Sequence, residues 1–284
     1  MIAKTIALAG VNGHVGKGFA KEFLNQGFDL RILTRIESLE SATIQELRAA
    51  GASVHVISYD DEASIVKALQ GADVLVSTVS PAALSSAQLP LVRAAKVAGI
   101  QLFFPSEYGG VYEDESDSSP MAQARKSVLD AAQDVGLPFA VLSNGAFPDY
   151  CFTPPFGYNF AEKKVTVWGD GNAKATWTTI HSVAEWIANV LKTTPIEQLQ
   201  NRQFHIEGNN ITANEIIKLW EQKHGAKLHV EYRPLKELED RIDAEKFDIL
   251  AYVVHKLSSG AVEVGGEHNG LYADWKPESL ATIL

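Results

Sequence analysis

The amino-acid sequence predicts an α/β protein: a doubly wound parallel sheet with a smaller C-terminal lobe. Three features predict it. Short apolar runs, bounded by turn residues, recur through the first half of the chain, as strands covered on both faces require. Amphipathic stretches at helical spacing separate those runs, so successive strands lie parallel through right-handed crossovers. The first run, Thr5–Ala9, passes directly into Gly10-Val11-Asn12-Gly13-His14-Val15-Gly16, three glycines opening a helix. Gly10 permits the tight turn, Gly13 lets a bulky anion approach the backbone, and Gly16 lets the helix pack against the sheet. Free N–H groups and the positive dipole end of that helix suit a phosphate. Placed between a strand and a helix, the glycine triplet reads as a dinucleotide-binding turn, with Gly10, Asn12, Gly13, His14, Val15 and Gly16 as its contacts.

The remaining elements follow in order. The first helix covers about Val15–Gln26, and Asp29–Thr34 is the second strand, with Arg35 immediately after it. That position lies beside the adenosine ribose in such a fold, where an acid holds the hydroxyls and an arginine suits a 2′-phosphate. The guanidinium fork grips phosphate and stacks on adenine, so Arg35 argues for NADP, with Glu37 close by. Residues 39–50 read as a helix, Ser53–Ile57 as a strand, Ala63–Leu69 as a helix and Asp73–Thr78 as the fourth strand. Ligands bind at the carboxyl ends of parallel strands, which makes Thr78, Val79 and Ser80 candidate cofactor contacts. A helix over Pro90–Ala98 leads to a fifth strand, Gln101–Phe104, which ends in Pro105-Ser106-Glu107-Tyr108-Gly109. The acidic, serine-rich segment Tyr112–Ser119 reads as a mobile surface loop near the site. Ser119-Pro120 starts the next helix, serine as cap and proline in the first turn. Leu137–Leu142 is the sixth strand.

From Asn144 the composition changes. Phe147–Phe160 (FPDYCFTPPFGYNF) is too rich in proline for a long helix, and reads either as a wall over an apolar pocket or as the core of a second lobe. Val165–Trp168 is a strand before the Gly169-Asp170-Gly171 turn; His181–Leu191 is a helix, Gln203–Glu207 a strand, and Asn214–His224 and Leu235–Val254 are helices. The expected division is residues 1–148 for the nucleotide domain and 149–284 for the lobe, with about 178–208 returning to the main sheet.

With 284 residues, the chain is long enough for a sizeable core. A formal charge of −10 disfavours nucleic acid. No apolar stretch approaches membrane-spanning length, and the apolar N-terminus runs into the glycine turn as a strand, not a signal peptide. The lone cysteine, Cys151, excludes an intrachain disulfide and fits a reducing, cytoplasmic setting. Histidines are scattered without ligand spacing, so no metal is expected.

Together, Gly10-x-x-Gly13-x-x-Gly16, Thr34-Arg35, Gln88 and above all Phe104-Pro105-Ser106-Glu107-Tyr108-Gly109 resemble the NmrA-like and isoflavone-reductase-like group of atypical short-chain dehydrogenase/reductases. Ser143-Asn144-Gly145-Ala146-Phe147, Gly169-Asp170-Gly171-Asn172 and Leu271–Pro277 extend the resemblance over nearly the whole chain, especially to fungal members. The resemblance implies a Rossmann domain binding NADP, with Pro105 and Asn144 among its cofactor contacts, and a lobe that binds substrate. Enzymes of the group reduce aromatic or phenolic compounds with hydride from NADPH; other members sense the cofactor and bind a protein partner.

The reductases carry a lysine eleven residues before the Gly-aliphatic-Pro that precedes the sixth strand. Here that motif starts at Gly136, so the position falls on Arg125, with Lys126 next. Arg125 shares a helix face with Met121, Val128, Leu129 and Ala132, while Lys126 is turned about 100° away. Either Lys126 points inward by a one-residue shift of register, or the chain works without the lysine. The candidate catalytic set is Lys126, or Tyr108, as proton donor and Arg125 as the cation steadying developing charge. The favoured function is an NADPH-dependent reductase of a small apolar, aromatic carbonyl or conjugated alkene. The alternative is a non-catalytic NADP(H)-sensing regulator with a protein partner. The aromatic run favours the enzyme, and the displaced lysine favours the sensor.

Overall fold

A computed structural model describes residues 1–111 and 117–284; most of the loop expected over Tyr112–Ser119 therefore lies outside the described residues. The chain begins β1 (Thr5–Ala9), α1 (His14–Asn25), β2 (Asp29–Thr34), α2 (Ala42–Ala49), β3 (Ser53–Val56), α3 (Glu62–Leu69), β4 (Val74–Ser77), α4 (Leu84–Ala98), β5 (Leu102–Phe104), α5 (Pro120–Asp134) and β6 (Ala140–Ser143). It continues α6 (Pro148–Cys151), β7 (Tyr158–Asn159), β8 (Lys164–Trp168), β9 (Lys174–Trp177), α7 (Ile180–Thr193), β10 (Arg202–His205), β11 (Asn209–Thr212), α8 (Ala213–His224), β12 (His229–Arg233), α9 (Lys236–Ile242), α10 (Ile249–Ser258) and α11 (Leu280–Ile283).

Two compact units divide these elements: Met1–Glu107, Glu115–Leu142 and Val183–Phe204 form the first, and Tyr108–Asp114, Ser143–Ser182 and His205–Leu284 the second. The first holds a five-stranded sheet in the order β3-β2-β1-β4-β5. All its pairings are parallel, with Ile6 opposite both Leu30 and Val74. Because β1 pairs with β2 on one side and with β4 on the other, the strand order reverses at β1, and the carboxyl ends of β1, β2, β4 and β5 share one edge. All four residues of β4 are buried, as a strand covered on both faces demands. Ala7, Leu75 and Phe103 of the sheet pack with Leu91 and Val92 of α4 and Val128 of α5 in one apolar cluster.

Helix starts follow local chemistry. The Ser41 hydroxyl accepts from Ile44 N–H at 3.3 Å and the Ser119 hydroxyl from Ala122 N–H at 3.1 Å, capping α2 and α5. Thr212 and Glu215 form a reciprocal capping box on α8. One start was expected elsewhere. Pro90 lies inside α4, which begins at Leu84 after a short 3₁₀ turn at Pro81–Ala83. Proline is tolerated there because its neighbours Leu84, Leu91 and Val92 bury an apolar face that favours continuing the helix.

In the second unit, β12-β8-β7 make one small sheet and β11-β9 another. The strands β9, β11 and β12 were not expected. The helix expected over Leu235–Val254 is two helices, because the Asp248 carboxylate accepts from Ala251 N–H at 3.0 Å and caps a new start at α10. For the aromatic run, packing favours a core: Phe152, Phe156, Tyr158 and Phe160 join Trp177 and Trp220 in one cluster. Phe160 stacks on Trp220 with ring centroids 5.8 Å apart. Cys151 is buried in the same cluster, and burial pushes its thiol up to about 12, so thiolate chemistry is excluded at neutral pH.

On the outside of the first unit, Glu46 of α2 pairs with Lys17 and Lys21 of α1, each at 2.8 Å. The hydrogen bonds from these ammonium groups hold its carboxyl at about 2, below the ordinary 4.5. A depressed carboxylate stabilises the fold above its unfolded value, and that contribution disappears as the pH falls from about 4.5 towards 2. An NMR titration is expected to place the Glu46 midpoint near that lower value, and to move it upward when Lys17 and Lys21 are both replaced by alanine.

Candidate functional site

The three glycines of the first turn have different physical reasons. Gly10 has φ +93°, and a Cβ there would lie 2.6 Å from the Thr78 carbonyl. A Cβ on Gly16 would meet Gly10 O and would lie 2.6 Å from Thr78 Oγ1. Both glycines are required by the packing of the turn on the end of β4. Gly13 is different: its φ is −81°, and the nearest atom to a Cβ would be Gly10 O at 3.5 Å, an ordinary contact. The fold itself does not require a glycine at 13. Gly13 is also the N-cap of α1, and no side chain caps that helix or places an acid in its first turn. Its first amides are thus served by no side-chain cap, and the backbone before them is bare, which suits an anion held by N–H groups and the helix dipole.

Around this turn the described residues fall into a clear arrangement. Thr78 N–H and Oγ1 both donate to Ala9 O, at 2.9 and 2.8 Å, so this candidate contact acts as a buttress of the turn. Asn12 accepts from the Ser41 hydroxyl at 2.8 Å, tying the turn to α2. His14 is exposed and Val15 half-buried in the first turn of α1. Arg35, at the end of β2, is exposed and lies 3.1 Å from Glu37. Val79 and Pro105 are buried at the ends of β4 and β5, and Ser80 is exposed. The Ser106 hydroxyl donates to Val79 O at 2.8 Å, and Ser106 N–H donates to Gln88 Oε1 at 2.7 Å, so α4 fixes the turn after β5. Ten of these expected cofactor contacts, Gly10, Asn12, Gly13, His14, Val15, Gly16, Arg35, Thr78, Val79 and Pro105, with Ser80 beside them, follow the carboxyl ends of four strands of one sheet.

Asn144 and Tyr108 belong to the second unit. Asn144 is buried, with its N–H donating to Gly109 O at 3.0 Å. The Tyr108 ring lies 6.3 Å from that of Phe147, tilted against it. Gly145, at φ +72°, lets the chain pass against Thr176 O, where any Cβ would collide.

The two cations of α5 separate by helical phase. Arg125 is directed inward, and its Nε donates to the Glu107 carboxylate, which has no exposed side-chain surface. Burial holds the Glu107 carboxyl above its ordinary value, and the Arg125 charge and hydrogen bond oppose only part of that rise. The neighbouring cation, Lys126, is two-thirds exposed and binds both oxygens of Asp130, one turn along, at 2.8 and 2.6 Å. Lys126, the proton donor offered by the sequence, thus lies on the solvent face of α5: one residue along a helix rotates a side chain by about 100°. Sequence reasoning quoted Glu107 within its motif but assigned it no role. The available signal was an acid in an otherwise apolar strand end, since acids are almost never buried without a partner.

The fold and this turn define an α/β protein of the Rossmann class. The chain belongs to the NmrA-like family, whose model matches residues 3–279. It is 29% identical to phenylcoumaran benzylic ether reductase 1 of Arabidopsis thaliana, covering 98% of this chain and 97% of that protein. It is 27% identical to phenylcoumaran benzylic ether reductase PT1 of Pinus taeda, covering 82% of this chain and 79% of that protein. Among solved structures, the leucoanthocyanidin reductase–NADPH binary complex from Vitis vinifera superposes with a TM-score of 0.83 at 20% identity, over 98% of this chain and 97% of that one.

Two stability predictions follow from these contacts. Gly10→Ala and Gly16→Ala are each expected to cost roughly 1–3 kcal/mol by thermal unfolding, while Gly13→Ala costs less than about 1 kcal/mol. Removing Arg125 strands a buried carboxylate, so Arg125→Ala is expected to cost about 3–5 kcal/mol in urea unfolding. Lys126→Ala should stay within about 0.5 kcal/mol of the native protein.

Proposed function

We propose that this chain is an NADPH-dependent reductase of a small apolar substrate, an aromatic carbonyl or conjugated alkene. The observation that carries the proposal is Gly13: a residue without a side chain, not demanded by the protein's own packing, at the uncapped amino end of α1. That cradle fits a pyrophosphate. The bound coenzyme would supply the hydride. In this reading the α1 amides hold the pyrophosphate, Arg35 holds the 2′-phosphate, and residues 1–148, with about 178–208 returning to the main sheet, form the nucleotide domain. Residues 149–284 serve the substrate. Within the first unit, Pro105 and Ser80 bound the cofactor side; within the second, Tyr108 and Phe147 form a tilted aromatic pair.

Arg125 steadies the negative charge that develops on the substrate oxygen. A guanidinium stays protonated at neutral pH, so it stabilises charge without giving up a proton. Tyr108 is the remaining donor of the candidate catalytic set. The names of the relatives, phenylcoumaran benzylic ether reductases, support a small aromatic substrate. A cytoplasmic setting suits the single, buried cysteine, and no described helix is long and apolar enough to cross a membrane.

One observation favours the second reading, a non-catalytic NADP(H) sensor acting on a protein partner: the lysine of α5 lies on the outer face, bound to Asp130. Titration with NADPH and NADH, followed by a screen of aromatic ketones and enones for coenzyme oxidation, separates the two. Turnover with any of them supports the reductase, and tight NADPH binding without oxidation across the panel supports the sensor. Gly13→Ala, though folded, is expected to lose at least about tenfold in NADPH affinity by calorimetry, because its methyl group would occupy the place of the pyrophosphate.

Arg125→Ala is expected to lower kcat by about 100-fold. In Arg125→Lys the pH–rate profile should gain an alkaline limb near pH 10, as the new ammonium titrates; the native guanidinium gives none.

A further inference from the structure

The end of β2 carries two opposite charges where one would serve a single cofactor. Arg35 leaves the strand in an extended conformation, φ −80° and ψ 155°, and a 3₁₀ turn over Ile36–Ser38 follows at once. Ser38 N–H donates to Arg35 O at 3.0 Å, closing that turn. The turn brings Glu37 back beside the strand end, so that its Oε1 lies 3.1 Å from Arg35 Nη1. Ile36, between them, is 67% exposed and takes no part. Arg35 has a second neighbour in Tyr59, just past β3: burial pushes that phenol upward, and the Arg35 charge opposes the shift.

We propose that Glu37 is a specificity-determining residue, competing with a 2′-phosphate for Arg35 and accepting hydrogen bonds from the free ribose hydroxyls of the unphosphorylated coenzyme. The proposal rests on the nucleotide-binding reading above. Its physical basis is that the two recognition chemistries for the adenosine ribose, a carboxylate for hydroxyls and a guanidinium for phosphate, stand together at one strand end. Both side chains are more than half exposed, so their pairing is weak and exchangeable. A phosphate bearing close to two negative charges displaces Glu37 from Arg35, but against the repulsion of a carboxylate that stays nearby. A ribose without phosphate meets no such repulsion. The chain therefore binds both NADPH and NADH, with less discrimination between them than Arg35 alone would give.

The test is the ratio of two dissociation constants, measured by tryptophan fluorescence or calorimetry at fixed salt with NADPH and NADH as probes. Glu37→Gln is expected to tighten NADPH about 3- to 10-fold and to weaken NADH about threefold. Arg35→Ala should shift the ratio the other way, chiefly by weakening NADPH. A structural role for Glu37 would move both constants together, whereas the two probes differ only in the phosphate. The Glu37 proposal is overturned if the native chain binds NADPH and Glu37→Gln leaves the ratio unchanged within about twofold. If the native chain binds neither coenzyme, the nucleotide-binding reading fails and takes this proposal with it.

Discussion

The close approach of the β1–α1 turn to the end of β4 is the constraint on which the rest depends. Thr78 grips Ala9 O with both its N–H and its hydroxyl, and its atoms fill the space that side chains at 10 and 16 would need. This contact fixes where α1 begins. It therefore fixes where the helix's first amides point, and so where an anion can sit. The sheet order then places the ends of β2 and β5 at the same edge, which brings Arg35 and the Pro105–Ser106 turn to the region that the turn addresses. Binding chemistry here is a consequence of strand packing.

A second constraint is electrostatic. Glu107 is an acid at the end of a fully apolar strand, and burial alone would make it a liability. Arg125 from α5 offsets part of that penalty through an ion pair, and Gln88 from α4 holds the neighbouring Ser106. The motif after β5 is thus fixed from two helices at once. The same pairing determines what Arg125 can do: it presents a positive charge held in a fixed place.

Much of the first unit was legible in the sequence because β1 and β4 are apolar along nearly their whole length and amphipathic helices separate the strands. The strands that escaped notice are half-polar. Asn209–Thr212 has neither alternation nor apolarity to mark it, and His229–Arg233 alternates but over only five mostly exposed residues. The break before α10 hinges on a single cap, Asp248, inside a stretch whose apolar spacing continues across it. In the site, Gly10, Gly13 and Gly16 were legible as a motif, but the different physical needs of the three became visible only with Thr78 in place. Arg125 and Lys126 differ by one step of helical phase, and only the position of a buried carboxylate far off in sequence decides which cation faces inward. The aromatic run could not be assigned because ring-lined cores and ring-lined cavities have the same composition.

The Glu107–Arg125 pair also joins two points 18 residues apart in sequence. An ion pair of this kind closes a loop, and the closure entropy grows only slowly with the number of residues enclosed. The pair therefore acts as a clasp, holding the turn after β5 to the face of α5 whatever length of chain runs between them.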